Sequence, residues 1–266
     1  MAEEKRISEL YIYPVKSLGG ISLSTSEITS KGLKYDRRWM ITDEKGLFLT
    51  QRTYPEMTFL KTSIKEGLLI ISDSRKSDDI LELPLEKYTK EILDVTVWDD
   101  TVAAYIVSQQ ADKWLSEKLN MNCRLVYMQD ETLRKVDPRY AKNDDTVGFA
   151  DAFPFLIIGQ ESLNDLNGRL EKKLPMNRFR PNIVFTGGRP YEEDEWKTFS
   201  TQNAGFNVVK PCSRCVLTTT DQETSERAKE PLKTLSEYRN VNGKIMFGQN
   251  LTLAYGTAIS VGDIIK

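Results

Sequence analysis

The sequence predicts a β-rich α+β protein with two lobes and helices packed on them. Two observations support this fold class. In the first half, about eight short strand-like segments follow one another closely, which is typical of a small barrel or sandwich. In the second half, strand-like segments are interspersed with segments of helical spacing. The length of 266 residues suits one or two domains.

The first half alternates apolar and polar residues between short turn-forming groups. Residues 38–42 and 46–50 flank the turn Asp43–Gly46 and predict a hairpin. Residues 59–64 and 68–72 flank Lys65–Gly67 and predict a second one. Further strands are predicted over residues 8–15, 21–28, 81–83, 91–97 and 101–107.

The second half predicts three helices, over residues 109–119, 160–174 and 231–238. The polar, irregular residues 132–148 are expected to form a linker or a flexible loop. Strands are predicted over residues 123–129, 154–158, 182–186, 204–209, 215–220, 246–253 and 257–261.

Composition excludes several classes of function. The chain has 37 basic and 39 acidic residues and a net charge of −2, so a general nucleic-acid or anionic-membrane binder is not expected. No apolar run approaches the roughly 18–20 residues of a transmembrane helix. The chain has no histidine, which excludes Ser-His-Asp and Cys-His catalysis and histidine-ligated metals.

The three cysteines are Cys123, Cys212 and Cys215. An odd, small number does not fit a secreted disulfide framework. It is also too small for a zinc or iron–sulfur site that needs four cysteines. We therefore expect no iron–sulfur cluster within this chain.

The pair Cys212 and Cys215 is the strongest local feature. Lys210 and Arg214 flank it, and nearby positive charge favours the reactive thiolate. The β-prone residues 216–220 argue against a thioredoxin-like motif, which should open a helix. One thiolate completed by the ligands of a cofactor remains possible, and so do two small, half-buried residues at the start of a strand.

Four other segments carry candidate functional residues, and each also has a plain structural explanation. Two arginines around an aromatic in residues 177–182 suit a phosphate or a carboxylate. Residues 13–20 place a lysine and a serine in a turn that ends in two glycines, which suits an anion. The arginines of residues 35–39 either bind an anion or pair with acids. The acid within residues 149–154 precedes a buried strand.

In this order, the motifs resemble one family over nearly the whole chain. Tyr13–Ser17, Tyr35–Met40, Phe179–Val184, Cys212–Cys215 and Glu230–Leu235 are similar to segments of MOSC-domain proteins with an N-terminal β-barrel domain. The amidoxime-reducing component of mitochondria and its bacterial counterparts belong to this family, and the C-terminal domain of molybdenum cofactor sulfurase is a more distant member. The resemblance implies a barrel domain over residues 1–130 and a MOSC domain over residues 131–266, with residues 109–129 packing on either lobe.

The resemblance also implies a molybdenum–molybdopterin cofactor in the cleft between the lobes. Cys215 would supply the thiolate ligand of the metal, Cys212 would be its neighbour, and Asp151 would lie close to the metal. The positions that match residues cradling the cofactor are Lys16, Ser17, Arg37, Arg180, Asn182, Ser213 and Arg214.

The implied reaction is reduction of small N-hydroxylated compounds: amidoximes, hydroxylamines and N-oxides. Electrons would come from a separate ferredoxin, flavodoxin or cytochrome b5-type protein. Mitochondrial members carry a targeting and anchor segment without a counterpart here, so a monomer in the bacterial cytoplasm, bound to no membrane or nucleic acid, is expected. Two alternatives stay open: a sulfur carrier with a persulfide on Cys215, and a non-catalytic molybdopterin carrier.

Overall fold

The computed structural model describes residues 4–86 and 88–266 and has the predicted β-rich α+β fold. The strands before the first α-helix are β1 (Arg6–Ile12), β2 (Ile21–Leu23), β3 (Thr25–Thr29), β4 (Gly32–Leu33), β5 (Trp39–Asp43), β6 (Leu60–Lys65), β7 (Leu68–Asp73), β8 (Lys76–Pro84), β9 (Ile92–Val97) and β10 (Asp100–Ile106). Residues 55–59 form a short 3-10 helix between β5 and β6.

The remaining elements mix helices with strands. They are α1 (Gln109–Leu119), β11 (Cys123–Tyr127), β12 (Phe155–Gly159), α2 (Gln160–Gly168), β13 (Ile183–Thr186), β14 (Thr198–Ser200), β15 (Ala204–Ser213), α3 (Leu232–Tyr238), β16 (Asn240–Val241), β17 (Lys244–Gly256) and β18 (Ala258–Ser260). Three 3-10 helices lie at residues 176–178, 192–195 and 216–219. No helix in the described part of the chain has the length and apolar character needed to cross a bilayer.

The strands form four sheets, and some of these sheets combine strands from the beginning and the end of the chain. The largest has the order β14-β15-β17-β12-β13-β1-β2, with β16 attached to β17. Within it β1 pairs with β13, although about 170 residues separate them. The smaller sheets have the orders β5-β11-β10-β9, β6-β7-β8 and β18-β3-β4. β1 and β3 pair with strands from the end of the chain, so strand pairing does not follow the division at residue 130, which stays a prediction.

The two largest hydrophobic cores explain how the chain enters the region between them. Leu10 and Ile12 of β1 are buried in the core of the largest sheet. Val15 and Leu18 are buried in the core beneath β5, β6, β7 and α1. Residues 13–18 therefore cross from one core to the other, and the polar residues between the two anchors lie at the crossing.

Several predicted elements are confirmed. Helix α1 has the predicted bounds, and Ser108 caps it by accepting a hydrogen bond from the Ala111 backbone N–H at 3.1 Å. The hairpin β6–β7 forms around Lys65–Gly67 as predicted. Its second strand also pairs with β8, which is longer than the predicted residues 81–83.

Other predicted elements are wrong in their extent. The strand predicted over residues 21–28 divides at Ser24, because its first part pairs with β1 and its second part with β18 and β4. Residues 46–50 turn back on β5 as the predicted hairpin requires, through an antiparallel bridge between Thr42 and Phe48 and a hydrogen bond from the Leu49 N–H to the Ile41 carbonyl at 2.8 Å, but they form no regular strand. Helix α2 ends at Gly168 rather than at the predicted residue 174. Glycine has a low helix propensity and therefore favours termination at this position.

The strand predicted over residues 215–220 is a 3-10 helix, Val216–Thr219. The Thr218 hydroxyl donates to the Cys215 carbonyl at 2.9 Å, and the Thr219 hydroxyl donates to the Val216 carbonyl at 2.7 Å. These local bonds compete with a strand ladder. Cys215 therefore lies at the start of a helical turn rather than inside a strand.

Residues 132–148 are not a free linker. Arg134 is buried, and its guanidinium donates to the carbonyls of Gly148 at 2.8 Å, Ala150 at 2.5 Å and Asp151 at 3.0 Å. It also pairs with Asp100 at 2.7 Å. The segment is irregular in secondary structure, and this one side chain fixes its end beside the chain's candidate site residues.

We predict that Arg134→Met lowers the free energy of unfolding by about 2–4 kcal/mol, because one buried and two partly buried carbonyls lose their donor. Chemical denaturation followed by circular dichroism measures this change. Arg139→Met is the matched control in the same segment, since Arg139 pairs with Asp137 at the surface. An equal effect of the two substitutions would show that the segment is held in some other way.

Candidate functional site

A cavity of about 140 Å³ lies where the segment that crosses between the two cores meets β15 and its following turn. All nine residues singled out from the sequence line it: Lys16, Ser17, Arg37, Asp151, Arg180, Asn182, Ser213, Arg214 and Cys215. The structure brings these side chains together, and the roles assigned to them stay predictions.

Tyr13 organises the cationic wall of the cavity. Its buried ring lies 4.2 Å from the guanidinium carbon of Arg37 and 4.1 Å from that of Arg180. Gly20 allows this packing, because a Cβ there would lie 2.5 Å from the tyrosine ring. Cation–π contacts of this kind hold two like charges near one another, and burial raises the pKa of Tyr13 to about 12.

Three cavity residues have a left-handed backbone that side chains rarely adopt. The φ angles are 67° at Ser17, 48° at Arg37 and 55° at Arg180. Such conformations persist where the surroundings enforce them, and they cluster at functional sites. Gly148 contributes to the enforcement, since a Cβ there would lie 2.7 Å from the Arg37 carbonyl oxygen.

Neighbouring arginines in the two arginine-containing motifs face different ways. Arg37 lines the cavity and donates to both oxygens of buried Asp36 at 2.8 Å. Arg38 turns away and pairs with Asp130 at 2.7 Å. Arg178 also points away from the cavity and donates to the carbonyls of residues 218 and 219 at 3.0 and 2.8 Å. Of the two arginines in the second motif, Arg180 is the one that lines the cavity.

Asn182 lines the cavity but supports the backbone. Its side chain accepts from the Leu156 N–H at 3.2 Å and donates to the Tyr11 carbonyl at 3.1 Å. Both bonds tie β12 and β1 to the residue that precedes β13. The Asn182 amide therefore links β1 and β12 to the start of β13.

Lys16 and Asp151 form an ion pair across the cavity, with Nζ 2.6 Å from Oδ1. Burial lowers the pKa of Lys16 to about 8, although Asp151 partly opposes the shift. Desolvation by the surrounding protein raises the pKa of the Asp151 carboxyl. The positive charges of Lys16 and Arg52 lower this pKa by more and hold it well below the usual range. Asp151 is therefore a permanent acceptor, with 56% of its side chain exposed towards the cavity.

Arg52 is the main site residue that the sequence did not reveal. Its Nε donates to Cys215 Sγ at 3.4 Å and its Nη2 to Asp151 Oδ2 at 2.7 Å. Its guanidinium lies 4.4 Å from the ring of Trp98, and the Trp98 indole N–H donates to Asp151 at 3.2 Å. Neither residue belongs to a local motif, since Arg52 reaches Cys215 across 163 positions.

Arg214 and Lys210, the basic residues that flank the cysteine pair, contact groups other than Cys215. Arg214 donates through Nη1 to Cys212 Sγ at 2.9 Å and through Nη2 to the Phe179 carbonyl. The Lys210 ammonium lies 4.3 Å from the Tyr140 ring. Among the described residues, Arg52 is therefore the cation that donates to Cys215 Sγ, whereas Arg214 donates to Cys212 Sγ.

The cavity has the electrostatic character of an anion site. Five of its lining side chains are basic and one, Asp151, is a carboxylate. The Nη2 of Arg180 and the Nε of Arg214 are buried without a hydrogen-bond partner among the described residues. Arg180 is 8% exposed, and buried unpaired donors of this kind are costly unless a ligand accepts from them.

The protein alone offers a metal few ligands here. Within residues 4–86 and 88–266, no group of three or more cysteine, aspartate or glutamate side chains is arranged to hold a metal ion. Cys215 is exposed at the cavity wall, whereas Cys212 is half-buried and Cys123 is buried elsewhere. A metal at Cys215 would need most of its ligands from a bound cofactor.

Comparison with known proteins identifies this architecture. The MOSC N-terminal beta barrel domain matches residues 4–122, and the MOSC domain matches residues 144–266. The chain is 35% identical to mitochondrial amidoxime-reducing component 1 of Mus musculus, over 97% of this chain and 80% of that protein. Its identity to the human protein of the same name is 32%, over 97% of this chain and 81% of that protein.

A second group of relatives is longer. Molybdenum cofactor sulfurase of Arabidopsis thaliana is 32% identical over 91% of this chain, which spans 32% of the sulfurase. Fold and matched domains together define a MOSC protein with an N-terminal barrel domain. The chain belongs to the MOSC family that includes the mitochondrial amidoxime-reducing components, a family associated with the molybdenum cofactor and with oxidoreductase activity.

We predict that iodoacetamide alkylates Cys215 of the folded, cofactor-free chain much faster than Cys123 at about pH 8, because the thiolate is the reacting form. Burial raises the pKa of Cys123 to about 11 and shields its sulfur, whereas Cys215 is exposed. Timed quenching and peptide mass spectrometry measure both rates, and the denatured chain is the control. Faster labelling of Cys123 in the folded chain would contradict the structure.

Proposed function

We propose that the protein is a molybdenum-cofactor-dependent reductase of small N-hydroxylated compounds that takes electrons from a separate redox protein. The observation that carries this proposal is the cavity itself. Five basic side chains and two unpartnered buried donors surround a space beside an exposed thiol. That combination suits a ligand with both a phosphate and a thiolate-bound metal.

The residues present fit molybdopterin, which carries a phosphate and a dithiolene. Arg180 and Arg214 would donate their unpartnered N–H groups to its anionic end. Lys16, Ser17 and Arg37 would approach it from the segment that crosses between the cores, and Ser213 and Asn182 from the opposite wall. Cys215 would hold the metal, because a thiolate suits a soft, redox-active centre.

The reaction consumes two electrons and two protons. The N–O bond of an amidoxime breaks, and an amidine and water leave. The bound cofactor supplies the redox chemistry, while the protein binds and orients the reactants. Asp151 stays ionised and accepts an N–H or O–H of the substrate. Lys16 holds a proton on Nζ, 2.6 Å from Asp151 Oδ1, and is placed to replenish one of the protons used.

The electrons require a donor of another chain. A ferredoxin, a flavodoxin or a cytochrome b5-type protein has the chemistry to deliver them singly. The relatives named for amidoxime reduction support the substrate class.

A second candidate function is sulfur transfer through a persulfide on Cys215. The exposure of Cys215 and the similarity to molybdenum cofactor sulfurases favour it. The metal content separates the two candidates. Near one molybdenum per chain supports the reductase, whereas a persulfide mass increment on metal-free protein supports the carrier of sulfur.

We predict that Cys215→Ala abolishes benzamidoxime reduction by protein purified from a host that makes the cofactor. Cys212→Ala is the matched control and should cost at most about tenfold, the lower end of the effect of residues that neighbour a metal ligand. An artificial electron donor is used in the assay, and molybdenum is measured by mass spectrometry of the metal. Retained activity in Cys215→Ala together with loss in Cys212→Ala would reverse the ligand assignment.

We predict that kcat declines as the pH rises through about 8, because Lys16 loses its proton near that value. The proton on Nζ is fully present below the pKa and absent above it, so the alkaline limb is a loss. A pH profile with an artificial donor measures this. Lys16→Arg, checked first for molybdenum content, should lack this limb because a guanidinium stays charged. An unchanged wild-type rate well above pH 8 would refute the assignment of the proton to Lys16.

A further inference from the structure

We infer that Arg52 is a positioning residue that holds Cys215 and Asp151 in a fixed relation and raises the reduction potential of the metal bound at Cys215. The inference rests on the proposed ligation of molybdenum by Cys215. No motif and no named relative assigns a role to Arg52.

The tip of Arg52 bridges two groups of different chemistry. One nitrogen of its guanidinium donates to the thiol of Cys215 at 3.4 Å, and another donates to the carboxylate of Asp151 at 2.7 Å. The planar fork of arginine suits such double donation, and lysine cannot reproduce its geometry. The guanidinium therefore links the thiol directly to the carboxylate.

The face of the guanidinium is also fixed. It lies 4.4 Å from the ring of Trp98, whose indole N–H donates to the same carboxylate at 3.2 Å. Trp98 has a left-handed φ of 57° in the tight turn between β9 and β10 and is half exposed. A bulky residue in that conformation is uncommon. The turn thus places the indole against Arg52 although the backbone conformation of Trp98 is unfavourable.

The base of Arg52 is held by the other half of the chain. Arg227 donates through Nη2 to the carbonyls of Gln51 at 2.5 Å and Arg52 at 2.6 Å. The amide of buried Gln51 donates to the Ser17 carbonyl at 2.7 Å and accepts from the Gln222 amide at 3.0 Å. Both ends of Arg52 are thus fixed before any ligand binds.

A fixed positive charge at this place has an electrostatic consequence. Side chains around a metal ligand tune the metal through that ligand. A cation next to the thiolate disfavours the more positive, oxidised metal and favours the reduced one. Removal of the charge should therefore make the metal harder to reduce.

The test compares Arg52→Gln and Arg52→Lys with Arg75→Gln in the molybdenum-loaded protein. Arg75 is a matched control, since its guanidinium pairs with Asp73 at 2.7 Å and lies 4.9 Å from the Phe59 ring, away from the cavity. Redox titration followed by the paramagnetic Mo(V) signal gives the midpoint potential. Metal content and steady-state kinetics with benzamidoxime are measured on the same samples.

We expect Arg52→Gln to keep its molybdenum, to shift the midpoint potential to more negative values and to lower kcat about 10–100-fold, with a much smaller change in KM. Arg52→Lys should keep a potential close to that of the wild type, because the charge remains, and should lose part of kcat, because the bridge is lost. Arg75→Gln should match the wild type in every readout.

Three results would overturn the inference. An unchanged midpoint potential in Arg52→Gln would show that Arg52 has no electrostatic effect on the metal. Loss of molybdenum from both Arg52 variants would show that Arg52 only retains the metal, and a change in KM alone would make Arg52 a substrate-binding residue. The titration uses no substrate. A potential shift in protein that fails to reduce benzamidoxime would therefore refute the proposed reductase and leave the role of Arg52 intact.

Discussion

The gathering of five basic side chains around one carboxylate is the constraint on which the site's architecture depends. Like charges in a partly buried space repel, and each loses hydration. The protein offsets this with aromatic faces, backbone carbonyls and buried acids. The ring of Tyr13 lies against both Arg37 and Arg180. Both carboxylate oxygens of Asp36 accept from Nη1 of Arg37, and the Leu18 carbonyl accepts from Arg180 at 2.8 Å. Two buried donors of the cavity lining, Nη2 of Arg180 and Nε of Arg214, stay unpartnered among the described residues.

This arrangement requires strands and loops from both halves of the chain to pack against one another. β1 completes a sheet made mostly of late strands, and the residues after it enter the core beneath β5 and α1. Lys16 therefore reaches Asp151, about 135 positions away, without any mobile connection. Two packed cores on either side make the cavity wall rigid, since close-packed interiors deform little. Rigidity lets left-handed backbone persist at Ser17, Arg37 and Arg180.

The division of labour between the two cysteines also follows from packing. Cys212 is half-buried and accepts from Arg214, whereas Cys215 begins a 3-10 turn whose threonine hydroxyls bond back to the preceding carbonyls. That turn leaves the Cys215 sulfur exposed to the cavity. Its neighbouring cation comes from the loop after β5 rather than from the adjacent lysine and arginine. The surroundings of this thiol are thus set by the fold more than by the C-x-x-C spacing.

The sequence by itself determined the β-rich class, helix α1 and the hairpin β6–β7, because alternation and turn residues are local signals. The resemblance of its ordered motifs to a known family also picked out nine of the residues that line the cavity. Tertiary structure decided what those patterns omit. The pairing of β5 with β11 joins residues that are far apart in the chain, and whether residues 132–148 were free depended on the buried guanidinium of Arg134. Arg52 belongs to no motif, so its place at Cys215 followed only from the fold, in which hydrogen bonds and charge act through space rather than along the chain.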